Sequence, residues 1–199
     1  NVAVGLDPSV VGVKESASLR AIVLVTHHPV FLKAPATLRP APSSALVDGA
    51  VVWAAGESGV AVMSFHTALD VSQDAARALL GMLNLMLKGI VQPLEASKRK
   101  GYGQLCTVRA ADAPLTLGQL AARCTSVFGR QPRVWGDFSQ ELSTVVTCTG
   151  SAADLSRACL ETGAERLVAG EVKYHDALAA SQAGLMGIGL GHDTSEKTP

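Results

Sequence analysis

The sequence is poor in charged and aromatic residues and carries no excess charge of either sign. Charged residues make up 17% of its 199 residues and aromatic residues 4%, and 17 Lys and Arg residues balance 17 Asp and Glu residues. A surface that binds nucleic acid directly needs an excess of Lys and Arg to contact the phosphates. We therefore expect no direct nucleic-acid binding, and we interpret the single basic run, Lys98-Arg99-Lys100, as a solvated linker.

Paired cysteines and long apolar segments are also missing. The four cysteines are far apart and form no C-x-x-C pair, which argues against a thiolate zinc site or a disulfide scaffold and is typical of a reducing compartment. No apolar run approaches the roughly 20 residues that cross a bilayer, and no signal-peptide pattern precedes the first strand. We expect a cytoplasmic protein without membrane contact, while the alternative of a lost organelle-targeting segment stays open.

Two common catalytic patterns do not occur. The chain contains neither the G-x-x-x-x-G-K-[ST] pattern of phosphate-loop ATPases nor the G-x-S-x-G pattern of many serine hydrolases. Apolar residues make up 48% of the chain, a normal globular value. The length suffices for one large domain or two small ones, each with its own core.

Strand and helix patterns alternate along the first half of the chain. We predict strands over three apolar runs, residues 2–6, 20–26 and 60–65. We predict helices over residues 9–18, from a Ser43-Ser44 cap to about 56, and over 72–88. Residues 32–42 contain three prolines and predict a loop. The alternation indicates an α/β fold with a mainly parallel sheet, whose functional side chains gather beyond the carboxyl ends of the strands.

The second half repeats this alternation after a stretch that resembles a boundary. Residues 89–103 combine a proline, three basic residues and glycines. Beyond them we predict strands over residues 104–108, 133–135, 144–148, 166–169 and 184–190. We predict helices over residues 116–128, over 152–162 and around His175. We therefore expect two α/β lobes, residues 1–95 and 96–199, with mainly parallel or mixed sheets.

All five histidines lie in four short motifs. These are T-H-H-P at 26–29, H-T-A-L-D at 66–70, G-E-V-K-Y-H-D at 170–176 and G-H-D-T-S-E at 191–196. Imidazole is the commonest side-chain metal ligand, and divalent cations accept carboxylate oxygens. Because the histidines follow predicted strands or stand beside acidic residues, the pattern indicates a metal centre.

The first two motifs each admit a structural alternative. If the chain bends after His28, the imidazoles of His27 and His28 can face one cavity and each bind one of two metals. Otherwise they lie in an ordinary loop, one stacked and one solvated. His66 and Asp70 supply a nitrogen and an oxygen from one turn, or Asp70 helps to cap the helix that begins near residue 72.

The other two motifs place a histidine and a glutamate four residues apart. On a helix these positions share one face, so His192 and Glu196 can reach the same ion, and a bridging Glu196 suits a two-metal site. A frayed, charged terminus is the alternative. Glu171 and His175 have the same spacing and predict an acid-base pair that supports the ligands or faces a substrate, with a surface ion pair as the alternative.

Taken in order, the motifs T-H-H-P, S-F-H-T-A-L-D, G-E-V-K-Y-H-D-A and G-H-D-T-S-E resemble those of the GTP cyclohydrolase 1 type 2 homolog family, also called the NIF-three-like family. The resemblance covers nearly the whole chain, including a G-S-x-x-D-L-like stretch at Gly150 to Leu155. The sequence departs from the family at Ala68, where Asn is usual, and at Asp193, where an aromatic residue is usual. Both changes can alter substrate contacts without removing a ligand.

The resemblance implies a dinuclear divalent-metal site in the cleft between two α/β lobes, and subunits assembled into a ring-shaped homohexamer. It implies five ligands, His27, His28, Asp70, His192 and Glu196, with His66 close by. Two ions per chain are expected. The choice among Zn, Fe, Mn, Co, Ni and Mg stays open, because sites of histidine and carboxylate accept several metals.

Two hypotheses on function follow from the resemblance. The first is a metal-dependent hydrolase that acts on a nucleotide-like small molecule, with hydrolytic opening of the purine ring of GTP as the named candidate. His66 or His175 would then move the proton, and Glu171 would assist. The second is a non-catalytic metal-binding scaffold, or a metal-trafficking or regulatory interaction protein. An open coordination position favours catalysis, and metals enclosed by protein ligands favour a structural role.

Overall fold

In the computed structural model, which describes residues 1–36, 38, 48–152 and 155–197, the chain divides after Leu69. Unit 1 is Asn1–Leu69 and unit 2 is Asp70–Pro199. Each unit contains its own sheet and its own hydrophobic core. The α/β class with parallel and mixed sheets, expected from the alternation of patterns, is confirmed.

Unit 1 is built on a three-stranded parallel sheet of order β1-β2-β3. Its strands are Val2–Gly5 (β1), Val23–Thr26 (β2) and Ala61–Ser64 (β3), and its helices are Val10–Ser18 (α1) and Asp48–Ser58 (α2). Helix α1 begins as predicted, because the side chain of Ser9 accepts a hydrogen bond from the Gly12 amide. A one-turn helix, His66–Asp70 (α3), follows β3.

The core of unit 1 lies between the helices and one face of the sheet. Val13 of α1, Leu24 of β2 and Val51 of α2 are buried together, with Val60 at the start of the third strand. Alternate residues of a strand point to opposite faces of the sheet, which accounts for the alternating burial of β2. One face of β2 is therefore well buried and the other is only partly buried.

Unit 2 contains a six-stranded mixed sheet and a two-stranded one. The strands are Leu85–Leu94 (β4), Ser97–Val108 (β5), Leu115–Thr116 (β6), Arg133–Trp135 (β7), Glu141–Leu142 (β8), Thr144–Ser151 (β9), Arg166–Glu171 (β10) and Met186–Gly189 (β11). The large sheet has the order β4-β5-β9-β10-β11-β7, and β6 pairs with β8. Strands β9, β10 and β11 run parallel, and the remaining neighbours pair antiparallel.

Five helices pack with these strands. They are Gln73–Leu83 (α4), Leu117–Phe128 (α5), Leu155–Glu161 (α6), Tyr174–Gln182 (α7) and His192–Glu196 (α8). Helix α5 begins where it was predicted, because Thr116 and Gln119 form a capping box. Neighbouring residues of the central strands belong to different clusters: Val145 to one and Val146 to the other. Since neighbours point to opposite faces, the sheet is buried on both sides.

The helix predicted over residues 72–88 is too long. Its start is confirmed by Ser72, whose side chain accepts from the Ala75 amide, but the helix ends at Leu83. Asn84 adopts a left-handed conformation with φ of 54°, which stops the helix. The last predicted residues, 85–88, belong to β4 instead.

The boundary predicted between residues 95 and 96 is also wrong. Residues 89–103 lie in a hairpin in which β4 pairs antiparallel with β5, and β5 in turn pairs with β9. Composition suggested a linker because the strand partner of β5, some 40 residues further along the chain, leaves no mark on local sequence. The basic run at 98–100 is therefore part of a strand.

Some predictions concern residues outside the described part of the chain. These are the Ser43-Ser44 helix cap and most of the second half of the predicted loop at 32–42. In the described part of the chain, no helix is both long enough and apolar enough to cross a membrane.

The buried thiols yield a prediction on reactivity. Burial is the main cause that raises the pKa of Cys106, Cys124, Cys148 and Cys159 from 9.0 to about 12. At pH 8 only about one such thiol in 10,000 is ionised, against about one in ten at the ordinary value. We expect Ellman's reagent at pH 8 to leave all four thiols of the folded protein unmodified while it modifies all four in guanidinium. Rapid modification of any thiol in the folded protein would contradict this.

Candidate metal centre

The strands of unit 1 end in register, which brings the residues that follow them to one edge of the sheet. Thr26, the last residue of β2, pairs with Gly5 at the end of β1 and with Ser64 at the end of β3. The Thr26 hydroxyl donates a hydrogen bond to the carbonyl of His28 at 2.8 Å and lies 3.0 Å from the Ser64 hydroxyl. The chain therefore turns directly after β2, as a shared cavity for the adjacent histidines requires.

Three imidazoles of unit 1 meet beyond these strand ends. The ring centroid of His27 lies 4.9 Å from that of His28 and 5.2 Å from that of His66, and the centroids of His28 and His66 are 5.5 Å apart. Each ring offers a nitrogen, and these nitrogens lie within 4.8 Å of one another. His27 is only 8% exposed and the side chain of His28 is 21% exposed, and ligation by the pair stays a prediction.

A carboxylate orients one of these rings. Nδ1 of His28 lies 2.7 Å from Oδ1 of Asp7, which follows β1 at the same edge of the sheet. An ionised carboxylate only accepts hydrogen bonds, so Nδ1 is the protonated nitrogen and Nε2 is the nitrogen suited to bind a metal. Carboxylates bonded to the second nitrogen of a ligating histidine are a regular feature of metal sites.

Unit 2 repeats this arrangement around His192. Its Nδ1 lies 3.0 Å from Oε2 of Glu171, the last residue of β10, and its Nε2 lies 3.2 Å from Oε1 of Glu196. The side chains of the first and last residues of α8 thus meet on one face of the helix, as the spacing predicted. The Glu196 side chain is only 3% exposed, so the alternative of a frayed terminus is wrong.

Backbone contacts hold α8 in place. The Ser195 hydroxyl accepts a hydrogen bond from the Gly150 amide at 2.9 Å and donates one to the carbonyl of His192 at 2.9 Å. Gly150 has φ of 59°, and a Cβ added there would collide with Oε1 of Glu196. Glycine is required at this position because it allows both the backbone conformation and the close approach of the carboxylate.

Asp70 stands at the start of unit 2 as the last residue of α3. The Thr149 hydroxyl, next to Gly150, donates a hydrogen bond to Oδ1 of Asp70 at 3.4 Å. After burial, the negative charge of Asp70 is the largest cause that raises the pKa of the Cys148 thiol to about 12, and that of Glu196 contributes as well. Both carboxylates therefore act on the same part of unit 2. The cap of α4 is Ser72 rather than Asp70, which removes the structural alternative for Asp70.

The predicted pair of Glu171 and His175 does not form on a helix. Glu171 ends β10, whereas α7 begins only at Tyr174, so the two residues do not share a helical face. Glu171 contacts His192 instead. His175 is exposed, and its ring packs edge-on against Tyr174 at 5.3 Å. A role for His175 in proton transfer stays a prediction.

Sequence reasoning missed two residues. An acidic residue shortly after β1 occupies the same sheet edge as the T-H-H-P motif, and this is the signal that could have singled out Asp7. Thr149 carries no local signal, because its partner Asp70 lies far away in sequence. At Asp193, which departs from the aromatic residue usual in the family, the carboxylate pairs with Lys197 and Arg130, and the Lys197 hydrogen bond is the main cause that lowers its pKa.

The residues present fit divalent cations. In unit 1 the imidazoles offer nitrogen donors, and in unit 2 His192 and the carboxylates offer nitrogen and oxygen donors; Zn, Fe, Mn, Co and Ni accept both kinds. Two of the histidines have their Nδ1 fixed by carboxylates. The fold and the site thus define an α/β protein of two units whose histidine and carboxylate groups can hold a metal ion.

Comparison with known proteins places this class within one family. Residues 1–198 match the sequence profile of Duf34/NIF3 (NGG1p interacting factor 3), and the chain belongs to that family. The expected resemblance is confirmed.

Relatives of known sequence carry two kinds of name. A GTP cyclohydrolase 1 type 2 homolog from Nostoc sp. is 28% identical over 98% of this chain and 73% of its own length. A protein of the same name from Streptomyces coelicolor is 28% identical over 85% of this chain, and the Protein NIF3 homolog of Schizosaccharomyces pombe is 28% identical over 87%. This chain spans only 59% and 63% of the latter two relatives.

Solved structures share the fold. A Bacillus cereus protein related to NIF3 has a TM-score of 0.86 at 15% identity and matches all of this chain and 80% of its own. Staphylococcus aureus protein SA1388 has a TM-score of 0.84 at 19% identity, over 98% of this chain and 75% of its own. These similarities establish the α/β architecture of the chain.

The two carboxylates that orient histidines can be tested separately from the ligands. We expect Asp7→Ala and Glu171→Ala each to lower the affinity for Zn²⁺ or Mn²⁺ by about 10- to 100-fold, because the ligating ring loses its fixed tautomer and orientation. Competition with a chromogenic chelator measures this affinity.

Matched controls remove the same charge elsewhere. Glu57→Ala in unit 1 and Glu161→Ala in unit 2 replace exposed glutamates. They should leave the affinity unchanged. An equal loss in all four variants would mean that total charge, rather than the hydrogen bond to imidazole, governs binding.

Proposed function

We propose that this chain is a metal-dependent hydrolase with a dinuclear centre that acts on a nucleotide-like small molecule. The proposed ligands are His27, His28, Asp70, His192 and Glu196. The named candidate reaction is hydrolytic opening of the purine ring of GTP. The Nostoc and Streptomyces coelicolor relatives bear the corresponding name.

One observation carries the proposal. In each unit a carboxylate holds Nδ1 of one histidine, Asp7 on His28 and Glu171 on His192. A surface histidine has no need of such a partner, whereas a ligating histidine does, because the second hydrogen bond fixes its tautomer and raises its basicity. Because this contact occurs once in each unit, it favours a metal-binding role for both His28 and His192.

The helix α3 carries two residues of the proposed site. His66 and Asp70 are its first and last residues, and side chains four residues apart on a helix share one face. One turn rises only about 6 Å over four residues. One helical turn therefore carries both His66, a member of the three-histidine cluster, and Asp70, a proposed carboxylate ligand.

The proposed chemistry divides between the metals and the chain. Divalent ions bound by this donor set would supply Lewis-acid activation of water. Asp7 and Glu171 keep the ligating histidines in one tautomer and orientation. His66 lies within the imidazole cluster, where a ring that is not bound to metal can accept a proton from water and pass it to a leaving group. We propose His66 as the first proton carrier and keep His175 and Glu171 as further candidates.

A scaffold or trafficking role is the second candidate. The family carries the name NGG1p interacting factor 3, and the Schizosaccharomyces pombe relative is called a NIF3 homolog. A protein of this kind would bind the same metals without turnover. Coordination closed entirely by protein side chains would favour this role, and an open position would favour hydrolysis.

Metal content and turnover, measured together, separate the two roles. We expect about two divalent ions per chain in the parent protein and a clear loss in Asp70→Ala, because a ligand is removed. With Mn, Fe, Zn or Co restored, the parent should hydrolyse a member of a panel of GTP, other nucleotides and phosphoesters. Asp70→Ala should be slower by about 100-fold or more, since metal activation contributes several kcal/mol to the barrier.

Asp74→Ala is the matched control. Asp74 lies four residues away, is exposed and pairs only with Arg77 among the residues described, so metal content and turnover should equal those of the parent. Metal binding without turnover on the whole panel would eliminate the hydrolase and leave the scaffold. No metal in the parent would eliminate both.

Assembly and location are part of the proposal. Val2 and Val4 of the edge strand β1 are 63% and 81% exposed, and Ile22 is 67% exposed. Apolar surface of this kind favours burial against further copies of the chain, and we propose the ring-shaped homohexamer. Light scattering after gel filtration should give the mass of a hexamer, and a monomer at micromolar concentration would exclude it. Four reduced, buried cysteines fit the proposed cytoplasmic location.

A further inference from the structure

We propose that a cavity in unit 2 binds the phosphate groups of a small organic phosphate, and that it does so without the metal centre. The cavity measures about 430 Å³ and lies between the first half of α4 and the β4–β5 hairpin. Its volume is in the range of small-molecule sites, about 300–1,000 Å³.

Positive charge is concentrated in the lining of this cavity. Arg77, Lys88, Lys98 and Arg99 line it, and no carboxylate does. Arg77 lies 3.6 Å from the exposed Asp74, and the other three form no ion pair within the described part of the chain. In a chain with balanced charges, such a cluster creates a local positive potential that a bound anion neutralises.

A β-bulge lies beside the cavity at one of these cations. Leu87 pairs with Cys106 and Gly89 pairs with Leu105, so Lys88 is an extra residue without a ladder partner on β5. Leu87, Lys88 and Gly89 all line the cavity. Bulges occur preferentially beside functional sites, where they redirect a side chain.

A buried amide adds a neutral donor. Gln104 lines the cavity and is only 4% exposed. Its Oε1 accepts a hydrogen bond from the Thr147 hydroxyl at 3.0 Å, which fixes the orientation of the amide. Its –NH2 group has no acceptor among the residues described, so it remains available to a ligand oxygen. Fixed donors beside cations are the usual means of orienting a phosphate.

The remaining lining indicates what else the ligand contains. Ala76, Leu87 and Ile90 give the cavity an apolar wall, which suits a ring or an aliphatic group. The small size of the cavity and the neutral net charge of the chain argue against an extended nucleic acid, which needs a basic face rather than a pocket. The basic run interpreted from sequence as a solvated linker thus contributes two residues, Lys98 and Arg99, to a binding site.

Calorimetric titration of the full chain, freed of metal with chelator, tests this inference. The probes are inorganic triphosphate, GTP and guanosine. We expect triphosphate and GTP to bind, and guanosine to bind weaker by about tenfold or more, since it lacks the charge-assisted hydrogen bonds. The double variant Lys88→Met/Lys98→Met keeps the aliphatic stems and should weaken binding of both phosphates by about tenfold or more.

Two control variants locate the binding. Lys14→Met/Lys173→Met removes the same charge from exposed positions and should change the affinity by less than about twofold. Asp70→Ala removes a proposed metal ligand but leaves the lining of the cavity unchanged, so it should bind triphosphate with the same affinity as the parent. Loss of phosphate binding in Asp70→Ala would move the site to the proposed metal centre and overturn the inference, whatever the outcome of the hydrolase assays.

Three further results would overturn it. These are a parent protein that binds neither phosphate, an equal loss in both lysine double variants, or tighter binding of duplex DNA than of triphosphate that disappears in Lys88→Met/Lys98→Met. Circular dichroism checks that the variants fold. If the double variant does not fold, the single variant Lys98→Met replaces it in the titration, because Lys98 is exposed at the start of β5.

Discussion

The hydrogen bonds that His28 donates to Asp7 and His192 donates to Glu171 constrain the chemistry of this protein more than any other contact. An imidazole can present either nitrogen, and rotation about its side-chain bonds moves the lone pair by several ångströms. A carboxylate on Nδ1 removes both freedoms at once, because it selects the tautomer and the ring orientation. The local fold positions the groups that form these two contacts. The strands of unit 1 end in register, and β10 ends at the carboxylate that α8 needs.

The helix that carries His192 and Glu196 illustrates how much depends on tertiary contacts. It has only five residues, far fewer than the roughly 12–15 at which an isolated helix becomes marginally stable in water. The Ser195 hydroxyl bridges the Gly150 amide and the His192 carbonyl, and the Leu190 and Gly191 amides donate to carbonyls of residues 169 and 170. The adjacent sheet therefore supplies the order that the helix cannot supply itself.

Charge in this protein is balanced over the chain but uneven in space. The zero net charge of the chain gave no indication of a cavity lined by four cations, because a net charge sums over all residues regardless of their position in space. The hairpin brings Lys98 and Arg99 of β5 beside Lys88 of β4. Two carboxylates of unit 2, those of Asp70 and Glu196, act instead on the region of Cys148 and Thr149.

The sequence by itself determined the α/β class, most strands and helices, and the histidine and carboxylate motifs, because strand ends, helix caps and i, i+4 spacing are written in neighbouring residues. Ser9, Ser72 and Thr116 marked helix starts correctly for that reason. Tertiary structure alone decided the contacts between residues distant in sequence. It paired Asp7 with His28 and Glu171 with His192, continued residues 85–88 as a strand, and made a hairpin of the expected linker. The two side-chain pairs are each 21 residues apart, residues 85–87 pair with β5 residues 19 to 23 positions away, and β9, which holds the hairpin in the sheet, lies about 40 residues further on. Local patterns contain no information about which partner the fold will bring.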